Sequence, residues 1–283
     1  MRSRKGRHAQ FVNSYGNNFT LSCYGMRYRV LRPPYCYRWA VLILTLVTIT
    51  TFGVAALRGS SAEGAPTATK PVNQGKSTPA RATPVTAEVV RHTERPGRVV
   101  ALTFDDGPDP VYTPQVLDLL SEHDAVATFC MLGSEARRHP ELVQEVLARG
   151  MRLCDHTVSH DRDLRTRSEQ RITAEIVGGW TDLQIAAGRD VPIPYFRAPA
   201  GNWSERTSAV AARHGMRSLA WSVDSRDWTL PGAERIVTTV KEGVAPGAVV
   251  LLHDGGGERE QTVAALAELL PWLLAQGYEL GFP

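Results

Sequence analysis

Before Trp39 the chain contains no acidic residue, and beyond Leu57 it contains no apolar run long enough to cross a bilayer. The first absence leaves Arg2, Arg4, Lys5, Arg7, Arg27, Arg29, Arg32 and Arg38 unopposed, so the net charge of +3 belongs to a tail and the rest of the chain is net acidic. Basic residues confined to a tail make no cationic folded face, which argues against nucleic acid as a main partner. The second absence leaves Trp39 to Leu57 as the single candidate span. At about 1.5 Å per residue its 19 residues reach across roughly 30 Å of hydrocarbon. Large apolar residues are nearly missing again from Gly59 to about Pro96, where Ala, Thr, Pro, Ser and Gly prevail. Such a segment cannot offset its ordering entropy by burial and reads as an extended tether. Cysteine is scarce, four in 283 residues, and no internal repeat is visible.

What is present has an order. Basic residues before the apolar run and a neutral Gly/Ser/Ala stretch after it predict the tail inside the cytoplasmic membrane and everything downstream outside. A cleaved signal peptide is the rival, with Val54-Ala55-Ala56 or Ser60-Ser61-Ala62 offering small residues for cleavage. The long basic lead favours an anchor; a start at Met26 would shorten the tail without changing the orientation. The expected organisation is a basic cytoplasmic tail over 1–38, a transmembrane helix or signal anchor over 39–57, a flexible Pro/Ala/Thr/Ser-rich linker over 58–97 and a folded domain over 98–283. With 43% apolar residues, that domain has enough material for a sizeable core.

Within the domain, apolar runs alternate with helical patterns. Strands are expected at Val99–Phe104, Ala125–Leu132, Gly150–Cys154, Pro194–Arg197, Ser218–Val223, Ala248–His253 and Tyr278–Leu280. Helices are expected at Thr113–Glu122, Pro140–Arg149, Ser168–Ala187, Ser204–His214, Ala233–Glu242 and Glu260–Gln276. Pro140 suits a first turn, Ser168 and Ser204 suit N-caps, and Gly150, Gly188, Gly215, Gly243 and Gly277 stand where helices would stop. The alternation implies parallel strands joined by crossover helices, in a barrel or an open sheet.

Polar clusters fall at the ends of these strands. Asp105 and Asp106 close the uninterrupted run Val99 to Phe104, and two adjacent carboxylates call for a cation, a shared proton or a solvated turn. In His156-Thr157-Val158-Ser159-His160 the imidazoles stand four apart, the spacing of one helical turn, which puts them on one face. One carboxylate and two such histidines make a divalent-metal set with coordination positions left open. Arg197, Asp224 and Asp227, and His253 with Asp254 follow at later strand ends, where α/β folds build their sites. Any one cluster is as readily a cap or turn; Asp227, for instance, could pair with Arg226 or Arg235 at the surface.

Taken together, Thr103-Phe104-Asp105-Asp106-Gly107, His156 to His160, Arg197-Ala198-Pro199-Ala200-Gly201, Asp224-Ser225-Arg226-Asp227-Trp228 and Leu251-Leu252-His253-Asp254 resemble the five ordered motifs of the polysaccharide deacetylase family. This is the NodB-homology domain, or carbohydrate esterase family 4. The resemblance covers about Arg98 to Leu280. It implies an α/β fold, a distorted (β/α) barrel, that removes acetyl groups from N-acetylglucosamine units of peptidoglycan or chitin-like glycans with one divalent metal. Asp106, His156 and His160 resemble the metal ligands, Asp105 the catalytic base and Arg197 the residue that orients it. His253 resembles the general acid and Asp227 its tuning partner. The Ala200 backbone N–H resembles an oxyanion donor, and Trp228 and Leu251 the walls of the acetyl pocket. Zinc suits this donor set, and cobalt or manganese would also be accepted. Ala200 stands where the family often has Tyr, and Asp155 where Asn is common, adding negative charge near the metal.

The residues support that chemistry directly. Water is a poor nucleophile and an amine a poor leaving group, so a Lewis acid, a base and an acid are each required. Acetylxylan esterase or small-molecule amide hydrolase activity on the same scaffold, and a tethered glycan-binding module without turnover, are the alternatives. A non-haem iron oxygenase would share two His and one carboxylate but has no use for Asp105 or His253. The glycan and the membrane, through the N-terminal helix, are the expected partners; no protein partner is implied. Cys23 and Cys36 fall in the tail and stay reduced, whereas Cys130 and Cys154, in neighbouring strand runs, either form a disulfide or remain buried thiols.

Overall fold

The computed structural model describes residues 10–12, 18–20 and 85–283. The chain forms two units, residues 1–75 and 76–283. In the first, β1 (Gln10–Val12) and β2 (Asn18–Thr20) pair antiparallel, inside the stretch expected to be a plain basic tail. The membrane span expected at Trp39–Leu57 lies outside the described residues. Among those described, no helix is long and apolar enough to cross a membrane.

The second unit is built on a parallel sheet of β3 (Val89–Val90), β4 (Val99–Asp105), β5 (Ala127–Met131), β6 (Arg152–Asp155), β7 (Tyr195–Phe196), β8 (Arg217–Leu219), β9 (Val223–Asp224), β10 (Val249–His253) and β11 (Glu279–Leu280). The strand order is β3-β8-β7-β6-β5-β4-β10-β9, with β11 beside the foot of β4. The helices α1 (Tyr112–Glu122), α2 (Gly133–Arg138), α3 (Pro140–Ala148), α4 (Glu169–Ala187), α5 (Glu205–Arg213), α6 (Ala233–Gly243) and α7 (Glu260–Ala275) connect the strands. Their ends follow local chemistry. Ser168 caps α4 through Arg171 N–H, Gly188 ends it at φ 69°, and Ser204 with Thr207 closes a capping box on α5.

The period-2 alternation of the strands decides what faces where. Val100, Leu102 and Phe104, with Phe129, Met131, Leu153, Phe196, Val250 and Leu252, join the large core shared with the helices. Ala101, Cys130, Cys154, Tyr195, Leu219 and Val249 form a second, smaller core on the opposite, concave face. Burial on both faces explains the uninterrupted apolar runs. By the same parity Thr103 and Asp105 fall on the concave face. The register sets Asp105 opposite both His253 and Cys130, and Cys130 opposite Cys154. Cys130 and Cys154 form a disulfide, which settles the two possibilities left open for them.

Three expectations are corrected. The run Ser218–Val223 is two strands, β8 and β9, which occupy opposite sides of the sheet path, and residues 220–222 carry the chain from one to the other. Ala220 N–H donates to Val90 O and Ser222 N–H to Val249 O, so that crossing ties the two edges without a continuous ladder. The sheet is therefore an incompletely closed barrel. Secondly, the segment expected to be linker up to residue 97 already belongs to the fold. Val85 N–H donates to Ala212 O, β3 pairs with β8, and His92 bridges Ala248. Its scarcity of large apolar residues hid it, because backbone hydrogen bonds do most of the holding and Val90 is its one hydrophobic residue in the smaller core. Finally, α2 was unforeseen, being a short polar helix of six residues.

Candidate active site

Asp105 ends β4 on the concave face and is almost wholly buried. Its Oδ1 accepts a 2.5 Å hydrogen bond from Nη1 of Arg197, which is itself fully buried. Arg197 also donates to Thr103 Oγ1 at 2.9 Å and to the carbonyls of Leu219 and Ala220 at 3.3 and 3.2 Å. A buried guanidinium is tolerated only when its donors are so occupied. The effect is to hold the Asp105 carboxylate in one orientation, with Oδ2 turned towards His156.

His156 to His160 is not a helical turn. Thr157 at φ 72° and His160 at φ 58° adopt left-handed backbone, and the loop curls the two rings to 5.0 Å between centroids. The fourfold spacing predicted their proximity by the wrong local structure. His156 Nε2 and His160 Nε2 each lie 3.4 Å from Asp106 Oδ1, and the three donor atoms fall within 4.8 Å of one another. Asp106 Oδ1 is buried without a hydrogen-bond partner, although its neighbours are perfectly placed to surround a shared cation. His156 Nδ1 lies 2.8 Å from Arg197 O, which fixes that nitrogen as the donor and leaves the Nε2 lone pair facing Asp106. The donor set and its geometry fit a divalent metal. Burial by itself would raise the Asp106 carboxyl, but the imidazoles of His156, then His160, beside it hold it well below the usual range. Burial and the neighbouring His156 push His160 down, towards the neutral ligand form.

Across the cleft, His253 Nδ1 sits 2.8 Å from Oδ1 of Asp227, which is fully buried and not paired at the surface. Asp227 Oδ2 accepts from His253 N–H and Thr262 Oγ1, both at 2.8 Å. Burial opposes charge on the imidazole, but the hydrogen bond and charge of Asp227 outweigh it and raise His253 above its ordinary value.

Between these groups opens a cleft of about 370 Å3 lined by Asp105, Asp106, His156, His160, Ala200, Trp228, Leu251 and His253. Arg197 and Asp227 stand behind it, so all ten residues singled out from the sequence converge on one place. Ala200 takes left-handed backbone at φ 53° as the chain turns towards the cleft, and Trp228 remains 45% exposed on the rim. The negative charge expected of Asp155 is opposed by its surroundings: burial, with Asp182 and Glu175 nearby, raises its carboxyl well above the usual range. Other cleft residues escaped sequence reasoning: Trp221, Arg162, Gly256 and Arg259. Trp221 sits in the β8–β9 crossing that the sequence disguised as strand. Arg259 is recruited by donating to the carbonyls of Gly255, Gly256 and Glu258, a loop contact without a sequence signal.

Comparison with known proteins shows the chain to be similar to carbohydrate deacetylases. The family model for polysaccharide deacetylases matches residues 92–219. A chitooligosaccharide deacetylase of Bradyrhizobium is 40% identical over 194 residues, spanning 65% of this chain and 88% of that protein. A peptidoglycan-N-acetylglucosamine deacetylase of Bacillus cereus is 43% identical over 183 residues, spanning 64% of this chain and 84% of that protein. The crystal structure of a CE4-family pseudoenzyme from Bacillus anthracis superposes with a TM-score of 0.64 at 23% identity, covering 70% of this chain and 68% of that one. That likeness carries the fold alone, and turnover must be argued from the side chains.

Proposed function

Since this chain belongs to the polysaccharide deacetylase family, we propose that it is a metal-dependent hydrolase removing N-acetyl groups from N-acetylglucosamine-containing glycans outside the cytoplasmic membrane. The observation that carries the reading is the convergence of Asp106, His156 and His160 on one buried, unpartnered carboxylate oxygen, flanked by the Asp105–Arg197 and Asp227–His253 pairs. A divalent cation held by those three residues, zinc by preference, supplies Lewis acidity towards the acetyl carbonyl and the attacking water.

The chain's own residues do the rest. Asp105, oriented by Arg197, takes the proton of the attacking water. The Ala200 N–H stabilises the oxyanion of the tetrahedral intermediate. His253, kept protonated by Asp227, gives its proton to the leaving amine. Trp228 and Leu251 bound the space for the acetyl methyl. Two arginines lining the cleft, Arg162 and Arg259, have no carboxylate partner among the described residues, against one cleft carboxylate, Asp224, outside the metal ligands and the acid–base machinery. That balance favours an anionic glycan such as peptidoglycan over a neutral chitin-like chain. The Cys130–Cys154 disulfide supports an extracytoplasmic domain, because cytosolic thiols are kept reduced. Trp39–Leu57 is its membrane tether, or its leader if cleaved.

The test is acetate release by the purified protein after stripping with a chelator and again after adding zinc, cobalt or manganese. Peptidoglycan, chitooligosaccharides and acetylxylan are assayed in parallel. Metal-restored release from the N-acetylglucosamine polymers is expected. Release confined to acetylxylan, or none from any substrate with metal bound, would overturn the proposal.

A further inference from the structure

The loop that carries both histidines is costly to build. Two of its residues other than glycine, Thr157 and His160, hold left-handed backbone, which side chains with a Cβ adopt only at a cost. Something must compensate, and the contacts around residues 157–159 show what does. On one side Thr157 O and Val158 O accept from Gly133 N–H at 2.9 Å and Ser134 N–H at 3.1 Å. On the other, nearly every bond comes from one residue in the middle of α4. Glu175, 2% exposed, accepts Ser159 N–H on Oε2 at 3.0 Å, Ser159 Oγ on Oε1 at 2.9 Å and Val158 N–H on its main-chain oxygen at 3.1 Å. Its charge is balanced by Arg171 one turn earlier, at 2.6 Å.

A second observation points the same way. One turn on from Glu175, α4 carries Gly178 and Gly179, each of which weakens the helix relative to alanine. A Cβ on Gly178 would come within 2.7 Å of Val158 Cγ2. One on Gly179 would overlap Asp155 Oδ1 and lie 2.8 Å from the Thr157 carbonyl carbon. The helix thus gives up intrinsic stability at the two positions where it lies flush against the histidine loop. Glu175 itself is absent from the cleft lining.

We infer that Glu175 is a positioning residue for the metal centre: by holding Val158 and Ser159 it sets the left-handed turn that aims His160, and with it the spacing of both imidazoles. The inference rests on the reading of Asp106, His156 and His160 as metal ligands. Its effect is on affinity for the metal and on the geometry of the ligand field. A merely structural glutamate would affect only the stability of the metal-free fold.

The experiment measures zinc affinity of the full chain by competition with a chromophoric chelator, the visible absorption of the cobalt form, and thermal unfolding of the metal-free protein. The variants are Glu175→Gln, Glu175→Ala, Ser159→Ala and the double variant Ser159→Ala/Glu175→Gln. Removing groups that hold metal ligands in place typically costs about 10- to 100-fold in affinity. Zinc binding is expected to weaken about tenfold or more in Glu175→Ala with an altered cobalt spectrum, less in Glu175→Gln, which keeps one acceptor oxygen, and least in Ser159→Ala. The double variant should fall short of the product of the two single effects, because both act through one contact. Wild-type affinity and cobalt spectrum in folded Glu175→Ala would overturn the inference, even with a lowered unfolding temperature. If Glu175→Ala does not fold, Ser159→Ala and Glu175→Gln decide: unchanged affinity in both overturns it. A wild-type chain that binds neither zinc nor cobalt would instead overturn the ligand assignment beneath it.

Discussion

Replacing Asp105 by asparagine tests the division of labour between the two adjacent carboxylates. The side chains are nearly isosteric, so the substitution removes a charge and a proton acceptor but keeps an oxygen facing Arg197. Arg197 retains its bonds to Thr103 Oγ1, Leu219 O and Ala220 O, yet loses the charge-assisted contact at 2.5 Å. A hydrogen bond to a charged group is worth about 1.5–3 kcal/mol, and emptying a buried pair of one charge costs about 3–5 kcal/mol. Because asparagine keeps the acceptor and Arg197 keeps three partners, the lower figure applies, a loss of about 1.5–3 kcal/mol in unfolding free energy. Loss of a general base lowers the rate by about 10²- to 10⁴-fold. Metal binding should survive, since Asp105 Oδ2 stands 3.7 Å from His156 Nε2 and the three ligand atoms come from Asp106, His156 and His160. The assay pairs steady-state acetate release with zinc affinity and urea denaturation. Deacetylation within tenfold of wild type would refute the base assignment. Loss of the metal along with activity would show that Asp105 is itself a ligand.

Four further outcomes follow from the same geometry. His156→Ala should lose both metal and turnover, and zinc retained at wild-type affinity would contradict its place in the ligand set. His253→Ala should slow amide cleavage far more than cleavage of an activated acetyl ester, whose leaving group needs no proton; equal losses on both would remove the acid role. Because Asp227 raises His253 and the acid works protonated, activity should fall as pH climbs through that raised value, above the ordinary imidazole value of 6.5. Asp227→Asn should move this alkaline limb to lower pH, and an unmoved limb in the pH profile of kcat would sever the link between the two residues. Replacing Cys130 and Cys154 together by alanine opens a bridge spanning 24 positions, which should cost about 3 kcal/mol in urea denaturation, and a loss below about 1 kcal/mol would count against the bond.

Much of this site is written in strand parity. In Val99 to Asp105 the odd positions 101, 103 and 105 share a face, and the same alternation sends Leu251 and His253 inward on β10, so one register brings Asp105 and His253 side by side. Apolar run length and turn residues suffice to mark β4, β5, β10 and the helices from α3 to α7, because each buries a contiguous or amphipathic face that composition reveals. By the same means Asp106, His156 and His160 could be named together, since ligand chemistry restricts the residue types.

Other features depend on contacts between distant segments, which local pattern does not carry. The histidine loop is left-handed rather than helical because Glu175 and the N-terminus of α2 grip it from either side. Val89–Val90 joins the sheet through backbone bonds to β8 and through Val90 in the smaller core, a two-residue run too short to stand out in the sequence. Ser218 to Val223 reads as one strand but breaks at Trp221, because the sheet path must cross from β8 to β9 to bring its two edges together. The raised carboxyl of Asp155, the capture of Arg259 by carbonyls and the pairing of Asp227 with His253 follow from burial and distance. The amino-acid sequence by itself determined which groups could do the chemistry and which strands would carry them. Only the tertiary structure decided their distances, their charge states and the scaffold that aims them, because desolvation and orientation arise when segments far apart in the chain pack together.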